Sequence, residues 1–357
     1  MLCQNMLELL KPDSAITFKN SDDIRQLLKR ACRANSAIAT YHQIGTSEEG
    51  RPLDAVVIGK GVRRVSLIAG AHSDEPVGPE TLREFILQAL AQRQKFTELF
   101  ETYQFIIIPQ INPDGEAHNR RWTDIWPSVE AYLLHAFREP PGRDLEFGFP
   151  NMRKENTHVS EFLIEHGPFV MHASLHGMGF AEGAMLLIER HWIERTQNLR
   201  EQFKALLKNA GLRLHDHDRK GEKGFIYIEP GFWTTPEGRA MRAHFESKDD
   251  RETALNFHDS SMEFVRKIGR DPLCLVTELP LFIINKEIPN QPAGMPLAYL
   301  EFKERIPDLR AKLSLGESIE NVLQEYQIIP LDLSLAIRLQ LGIIEAGLET
   351  TRRAQRA

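Results

Sequence analysis

The sequence has little cysteine, no excess of positive charge and no long apolar run. Cys3, Cys32 and Cys274 are the only 3 cysteines in 357 residues. Such a small, widely spaced set excludes a disulfide framework and a cysteine-based zinc finger. Lys and Arg number 44 against 50 Asp and Glu, giving a net charge of -6. Because phosphate binding needs clustered basic residues in excess, we expect no nucleic-acid partner.

Membrane and secretory signals are also missing. Nowhere do about 18 apolar residues follow one another, the minimum for a membrane-spanning helix. The stretch "MLCQNMLELLKPDSAITF" at residues 1–18 has no basic segment followed by an apolar core, which a secretory signal needs. Together with the few cysteines, which fit a reducing compartment, these features predict a cytoplasmic location and no membrane partner.

What is present is the composition of a globular protein, with 42% hydrophobic and 26% charged residues. Short β-branched and apolar runs predict strands in "LDAVVIGK", "RRVSLIAGA", "YQFIIIPQI", "FVMHASL", "AMLLIE" and "LCLVTELP". Periodic segments between them predict helices over residues 21–33, 80–93, 156–165 and 193–210. This alternation predicts an α/β fold with a largely parallel, twisted sheet.

Beyond about residue 290 the composition changes to leucine-rich helical segments such as "SLAIRLQLGIIEAGL". We therefore divide the chain into a catalytic domain over residues 1–290, which includes an N-terminal helix, and a helical C-terminal extension over residues 291–357 that packs on it. The sequence does not indicate the role of the extension or the oligomeric state.

Polar side chains follow two of the predicted strands. His72 and Glu75 come directly after "RRVSLIAGA", and His176 follows "FVMHASL". Ligands of open α/β sheets bind at the carboxyl ends of strands. Two imidazoles and one carboxylate would form a zinc site that leaves a fourth position for water, as hydrolytic zinc requires. We therefore predict one zinc ion per chain, held by His72, Glu75 and His176.

Two further strand ends carry candidate catalytic groups. Glu278 in "LVTELP" follows a run that is otherwise apolar, and a buried carboxylate needs a nearby cation or water. Beside a metal-activated water it could serve as general base and then general acid. Arg120 and Arg121 follow the turn "NPDG" after "FIIIPQI", and either could stabilise a developing oxyanion.

The order of these motifs, His72-x-x-Glu75, "NPDG" at 112–115, His176 after a strand and "TE" ending at Glu278, resembles the zinc carboxypeptidase family and its intracellular amidase relatives. The resemblance covers about residues 40–282. It implies a mixed, mostly parallel eight-stranded sheet with helices on both faces, zinc on His72, Glu75 and His176, and Glu278 as base and acid. It also favours Arg121 over Arg120 for the scissile carbonyl and adds Asn112 to the substrate-binding candidates.

One segment departs from that family. Where its members carry "DLNRNF", whose Asn-Arg pair clamps the substrate carboxylate, this chain has "DLEFGF" at residues 144–149. Glu146 would repel a substrate carboxylate or attract an amino group, so the segment questions ordinary carboxypeptidase specificity. Arg143 or Arg153 could supply a replacement clamp. His258, near the position expected for the family's tyrosine, is a further substrate-binding candidate.

The predicted function is zinc-dependent hydrolysis of an amide or peptide bond, with a peptide or an acyl amino acid as substrate. An N-acyl amino acid deacylase or a cell-wall peptide amidase of the same family is an alternative. A non-catalytic peptide-binding homologue is another. Retention of His72, Glu75, His176 and Glu278 argues against the last.

Overall fold

The computed structural model describes residues 6–9, 16–269 and 271–354. The outer ends of the two predicted domain ranges, residues 1–5 and 355–357, lie outside these described residues.

Within the described residues, one mixed sheet has eleven strands in place of the eight expected. They are β1 (Ala39–Thr46), β2 (Pro52–Ile58), β3 (Arg63–Ala69), β4 (Tyr103–Ile108), β5 (Met171–Ala181), β6 (Gly183–Ile188), β7 (Arg213–Leu214), β8 (Tyr227–Glu229), β9 (Phe232–Thr234), β10 (Leu273–Ile284) and β11 (Ile328–Pro330). The additional strands are short ones such as β7, β8 and β11, because two or three extended residues leave no readable periodicity in the sequence.

Helices connect these strands and cover both faces of the sheet. They are α1 (Ser21–Ala34), α2 (Val77–Ala91), α3 (Thr97–Thr102), α4 (Pro113–Thr123), α5 (Val129–His135), α6 (Lys154–His166), α7 (Gln197–Asn209), α8 (Gly238–Glu246), α9 (Arg251–Leu255), α10 (Ser261–Ile268), α11 (Leu297–Ser314), α12 (Glu320–Glu325) and α13 (Leu333–Ala354). The predicted α/β class is confirmed. No helix among the described residues is long and apolar enough to cross a lipid bilayer.

The sheet order is β1-β2-β4-β3-β5-β10-β6-β9-β8, with β11 beside β10 and β7 beside β6. The four central strands β4, β3, β5 and β10 run parallel to one another. Antiparallel pairs lie to either side, as in β1 with β2 and β10 with β6. Since the carboxyl ends of β3, β5 and β10 point the same way, the residues that follow or end these strands meet at one edge.

Apolar side chains are buried on both faces of the sheet. One cluster joins sheet residues such as Leu67 and Leu275 to the buried sides of α2, α7 and α13. A second cluster joins Ile68 and Ile106 to Phe162 of α6 and Val265 of α10. The C-terminal segment therefore shares the main core with the sheet, and its last helix, α13, contacts β5 and β10 directly.

Candidate active site

The three predicted metal ligands converge at the carboxyl edge of the central strands. His72 and Glu75 lie in the loop between β3 and α2, and His176 lies within β5, which continues to Ala181. The Nδ1 atoms of His72 and His176 are 3.0 Å apart, and the Glu75 carboxylate lies 2.9 Å from each of them. Their ligand atoms all lie within 4.8 Å of one another, so the group could hold a metal ion. The sequence predicted that Glu75 and His176 would lie together, although they are 101 positions apart.

The charges within this group support one another. Burial opposes ionisation of Glu75 and of His176. The charges of His72 and Arg138, and then the contact with His176, nevertheless lower the pKa of Glu75. Hydrogen bonds with Glu146 and Glu75 raise the pKa of His176. A buried carboxylate that stays ionised next to two imidazole nitrogens is the donor set that divalent zinc prefers. The residues present therefore fit the ion that the sequence predicted.

A second carboxylate lies near each imidazole. Glu146 lies 3.0 Å from Nε2 of His176 and also accepts hydrogen bonds from the Ser174 hydroxyl and from the backbone and hydroxyl of Ser261. Asp144 lies 3.8 Å from Nε2 of His72. A carboxylate in hydrogen-bonding contact fixes the tautomer and orientation of a metal-ligating histidine, and Glu146 makes this contact with His176.

Glu146 is thus held in the interior and does not line the cavity. Burial alone would raise its pKa, but hydrogen bonds from His176 and Ser261 hold the pKa below the usual value. The sequence prediction placed this carboxylate against substrate. The structure places it behind His176, because Ser174 and Ser261 bring it there from elsewhere in the chain.

Glu278 lies in the middle of β10 and is partly buried. Its Cα is paired in register with that of His176 on β5, and the side chain lines the cavity. Burial first, and then the charge of Glu75, raise the pKa of Glu278 to about 8. Its Oε2 atom has no hydrogen-bond partner among the described residues. An unpaired buried carboxyl oxygen next to a candidate metal centre is a group suited to proton transfer.

A cavity of about 510 Å³ opens over this centre. Arg138 lies at its wall, with its guanidinium 3.0 Å from Glu75 and 3.2 Å from Asp74. Sequence reasoning missed Arg138. The signal available was its position in "FREPPGRD", immediately before the "DLEFGF" segment.

The structure places the two arginines predicted for the scissile carbonyl elsewhere. Arg120 is half exposed in the last turn of α4 and pairs with Asp124 at 3.2 Å. Arg121 is exposed on the same turn, and neither side chain lines the cavity. The turn "NPDG" begins α4 instead of delivering these residues to the sheet edge. Arg138 instead lies against Glu75 and at the cavity wall.

Three of the substrate-binding candidates also lie outside the cavity. Asn112 is buried, caps α4 and donates to Glu139 at 2.6 Å, which secures the segment next to Arg138. Arg143 is half exposed and pairs with Glu48. His258 donates its backbone N–H to the Phe147 carbonyl, and its side chain does not line the cavity.

The fold and the site define an α/β protein with a candidate metal centre of two histidines and one glutamate at the carboxyl edge of a mixed sheet. Comparison with known proteins shows which family part of the chain is similar to. Residues 24–129 match the zinc carboxypeptidase family, so the resemblance predicted from the sequence is confirmed. The matched range contains His72 and Glu75 but ends before His176 and Glu278, whose positions come from the fold.

Individual proteins with similar sequences are also described as carboxypeptidases. The chain is 27% identical over 189 residues to carboxypeptidase M of Mus musculus, a match covering 47% of this chain and 41% of that protein. It is 27% identical over 124 residues to an inactive metallocarboxypeptidase of Arthroderma gypseum, covering 31% of this chain and 21% of that protein. The chain thus spans less than half the length of either relative.

Among solved structures, the carboxypeptidase A of Helicoverpa armigera superposes with a TM-score of 0.55 at 14% identity. That match covers 97% of this chain and 78% of the insect protein. At this identity the likeness concerns the fold alone, and it extends over almost the whole chain.

Proposed function

We propose that this protein hydrolyses an amide or peptide bond with the help of one zinc ion held by His72, Glu75 and His176. The observation that carries the proposal is the convergence of these three ligand atoms within 4.8 Å, beside a cavity that His72, Glu75 and Glu278 line. Zinc bound there would supply a Lewis acid and lower the pKa of its water to about 7.

The protein groups around the centre divide the remaining tasks. Glu278 accepts the proton of the attacking water and passes it to the leaving nitrogen. Arg138, at the wall of the cavity, stabilises negative charge that develops on the carbonyl oxygen. Glu146, in hydrogen-bonding contact with His176, holds that imidazole in orientation.

The test is the substitution Glu278→Gln, which keeps the size of the side chain and removes the base. We expect zinc content to stay at the wild-type value and turnover to fall by about 10²–10⁴-fold, the usual contribution of a general base. Zinc is measured by metal analysis, and turnover by a screen of N-acylated dipeptides and acyl amino acids.

A matched control is Glu189→Gln. Glu189 is buried, but it pairs with Arg266 and does not line the cavity, so turnover should be retained. Loss of zinc from the Glu278→Gln variant would contradict the roles assigned, because Glu278 would then be a ligand. Absence of zinc-dependent cleavage by the wild type across the screen would favour the non-catalytic alternative.

An N-acyl amino acid deacylase is the second candidate activity. The observation that favours it is Phe147, which lines the cavity at the position where the family's clamp arginine is expected. The ratio of turnover on acyl amino acids to turnover on dipeptides separates the two activities.

A further inference from the structure

The cavity also carries positive charges without acidic partners. Arg219, Lys223 and Lys303 line it. Among the described residues, no carboxylate oxygen lies within 4.0 Å of any of these three charges. Glu222, the neighbour of Lys223, lies 4.0 Å from His244 instead. Arg138, in contrast, is already paired with Asp74 and Glu75.

These cations act on one another and on the site. Burial lowers the pKa of Lys223, Glu222 opposes the shift, and the charges of Arg219 and Lys303 lower the pKa further. The charge of Arg219 also reaches Glu278, where it opposes the rise in pKa that burial and Glu75 cause. Like charges gathered in a partly buried cavity are unfavourable unless an anion joins them. The cluster is therefore suited to a negatively charged ligand.

Apolar surface lies next to this charge. The Arg219 guanidinium lies 4.6 Å from the centre of the Phe225 ring. Phe147, Met241 and Phe257 form a separate apolar cluster whose side chains line the same cavity. A ligand that satisfies both surfaces carries an anionic group and an apolar side chain.

The two arginines predicted as a replacement clamp are engaged elsewhere. Arg143 pairs with Glu48 at 3.3 Å, and Arg153 is buried between Glu48 at 3.1 Å and Glu155 at 2.9 Å. Neither lines the cavity. The predicted replacement clamp is therefore absent from both positions, while unpaired cations stand in the cavity itself.

We infer that Arg219, Lys223 and Lys303 form the carboxylate-binding part of the cavity and hold an apolar amino acid by its free carboxylate. The assignment rests on the proposed function for the position of the scissile amide. The substrate is then an acylated or peptide-linked apolar amino acid. Arg219, Lys223 and Lys303, and not the "DLEFGF" segment, supply the charge that determines specificity.

The experiment measures binding, which requires no turnover. Calorimetric titration of the zinc-loaded protein compares N-acetyl-L-phenylalanine with its carboxamide, which has the same shape and no charge. Because a charged hydrogen bond contributes about tenfold in affinity, we expect the wild type to bind the acid at least tenfold more tightly. Arg219→Gln and Lys223→Gln should each lose about tenfold in affinity for the acid and little for the amide.

The matched control is Lys220→Gln on the same loop. Lys220 is exposed, pairs with Asp218 at 2.6 Å and does not line the cavity, so the preference for the acid should persist. Equal affinity of the wild type for acid and amide, or binding of neither, would overturn the inference. A preference that survives in both cavity variants would overturn it as well. If instead the preference disappears as expected but no amide is cleaved, the proposed function fails and the carboxylate site stands.

Discussion

At the scale of single residues, the candidate active site depends on four side chains that the central strands bring together. His72 and Glu75 follow β3, whereas His176 and Glu278 lie within β5 and β10 and are paired in register. The position of Glu146 could not be predicted from the sequence, because its side chain is fixed by Ser261, 115 residues away. Glu146 orients His176, a role that the local motif "DLEFGF" does not indicate.

Buried His172 makes stability depend on pH. Its ring lies between the hydroxyls of Ser66 and Ser261 at 3.0 and 3.2 Å, and burial lowers its pKa to about 4. Between pH 6.5 and 4 the unfolded chain therefore binds a proton that the folded chain does not. Stability contributed by neutral His172 is present above this range and is lost as pH falls through it.

We expect His172 to contribute a loss of about 2 kcal/mol in unfolding free energy between pH 7 and pH 5. Urea denaturation at the two pH values measures the loss, and His172→Asn should reduce it by that amount. His118→Asn is the control, since His118 is 44% exposed beside Glu49. An unchanged pH slope in His172→Asn would show that this histidine is protonated in the folded state.

At the scale of elements, the long central strands and their covering helices could be predicted, whereas the loops that complete the site could not. Strand β3 and helix α2 follow from hydrophobic pattern. The segment carrying Arg138 has no periodicity, and contacts distant in sequence hold it: Asn119 binds the carbonyl and the N–H of Phe137, and Asn112 binds Glu139. Such contacts depend on the assembled fold.

Close packing of α2 on β5 brings the two halves of the metal centre together. Gly78, three residues after Glu75, permits it, because a Cβ at this position would lie 2.3 Å from the Leu175 carbonyl oxygen. We expect Gly78→Ala to push α2 off the strand, lowering the unfolding free energy by about 1–3 kcal/mol and weakening zinc binding.

Denaturation and zinc titration against a competing chelator measure the two effects. Gln88→Ala on the partly exposed side of the same helix is the control and should stay within about 0.5 kcal/mol of wild type. Wild-type zinc affinity in Gly78→Ala would show that the α2 contact does not position Glu75.

At the scale of the whole molecule, the C-terminal segment is built into the core. Helix α13 packs against α2, α7, β5 and β10, and Gln340 on it is fully buried. Its amide donates to the His176 carbonyl at 3.2 Å and to the Thr277 hydroxyl at 2.9 Å, and accepts from Thr81 at 2.5 Å. One side chain of the last helix thus connects both site strands and α2.

Because these buried partners would be left without hydrogen bonds, we expect Gln340→Ala to lower the unfolding free energy by about 2–4 kcal/mol. Gln324→Ala, on exposed α12 with Glu320 as its partner, should change it by less than about 0.5 kcal/mol. Urea denaturation compares the two. Similar small losses of unfolding free energy in both variants would mean that the C-terminal helices are an appendage on an independently stable sheet. A large loss in Gln340→Ala alone would make α13 part of the structure that supports His176 and Thr277.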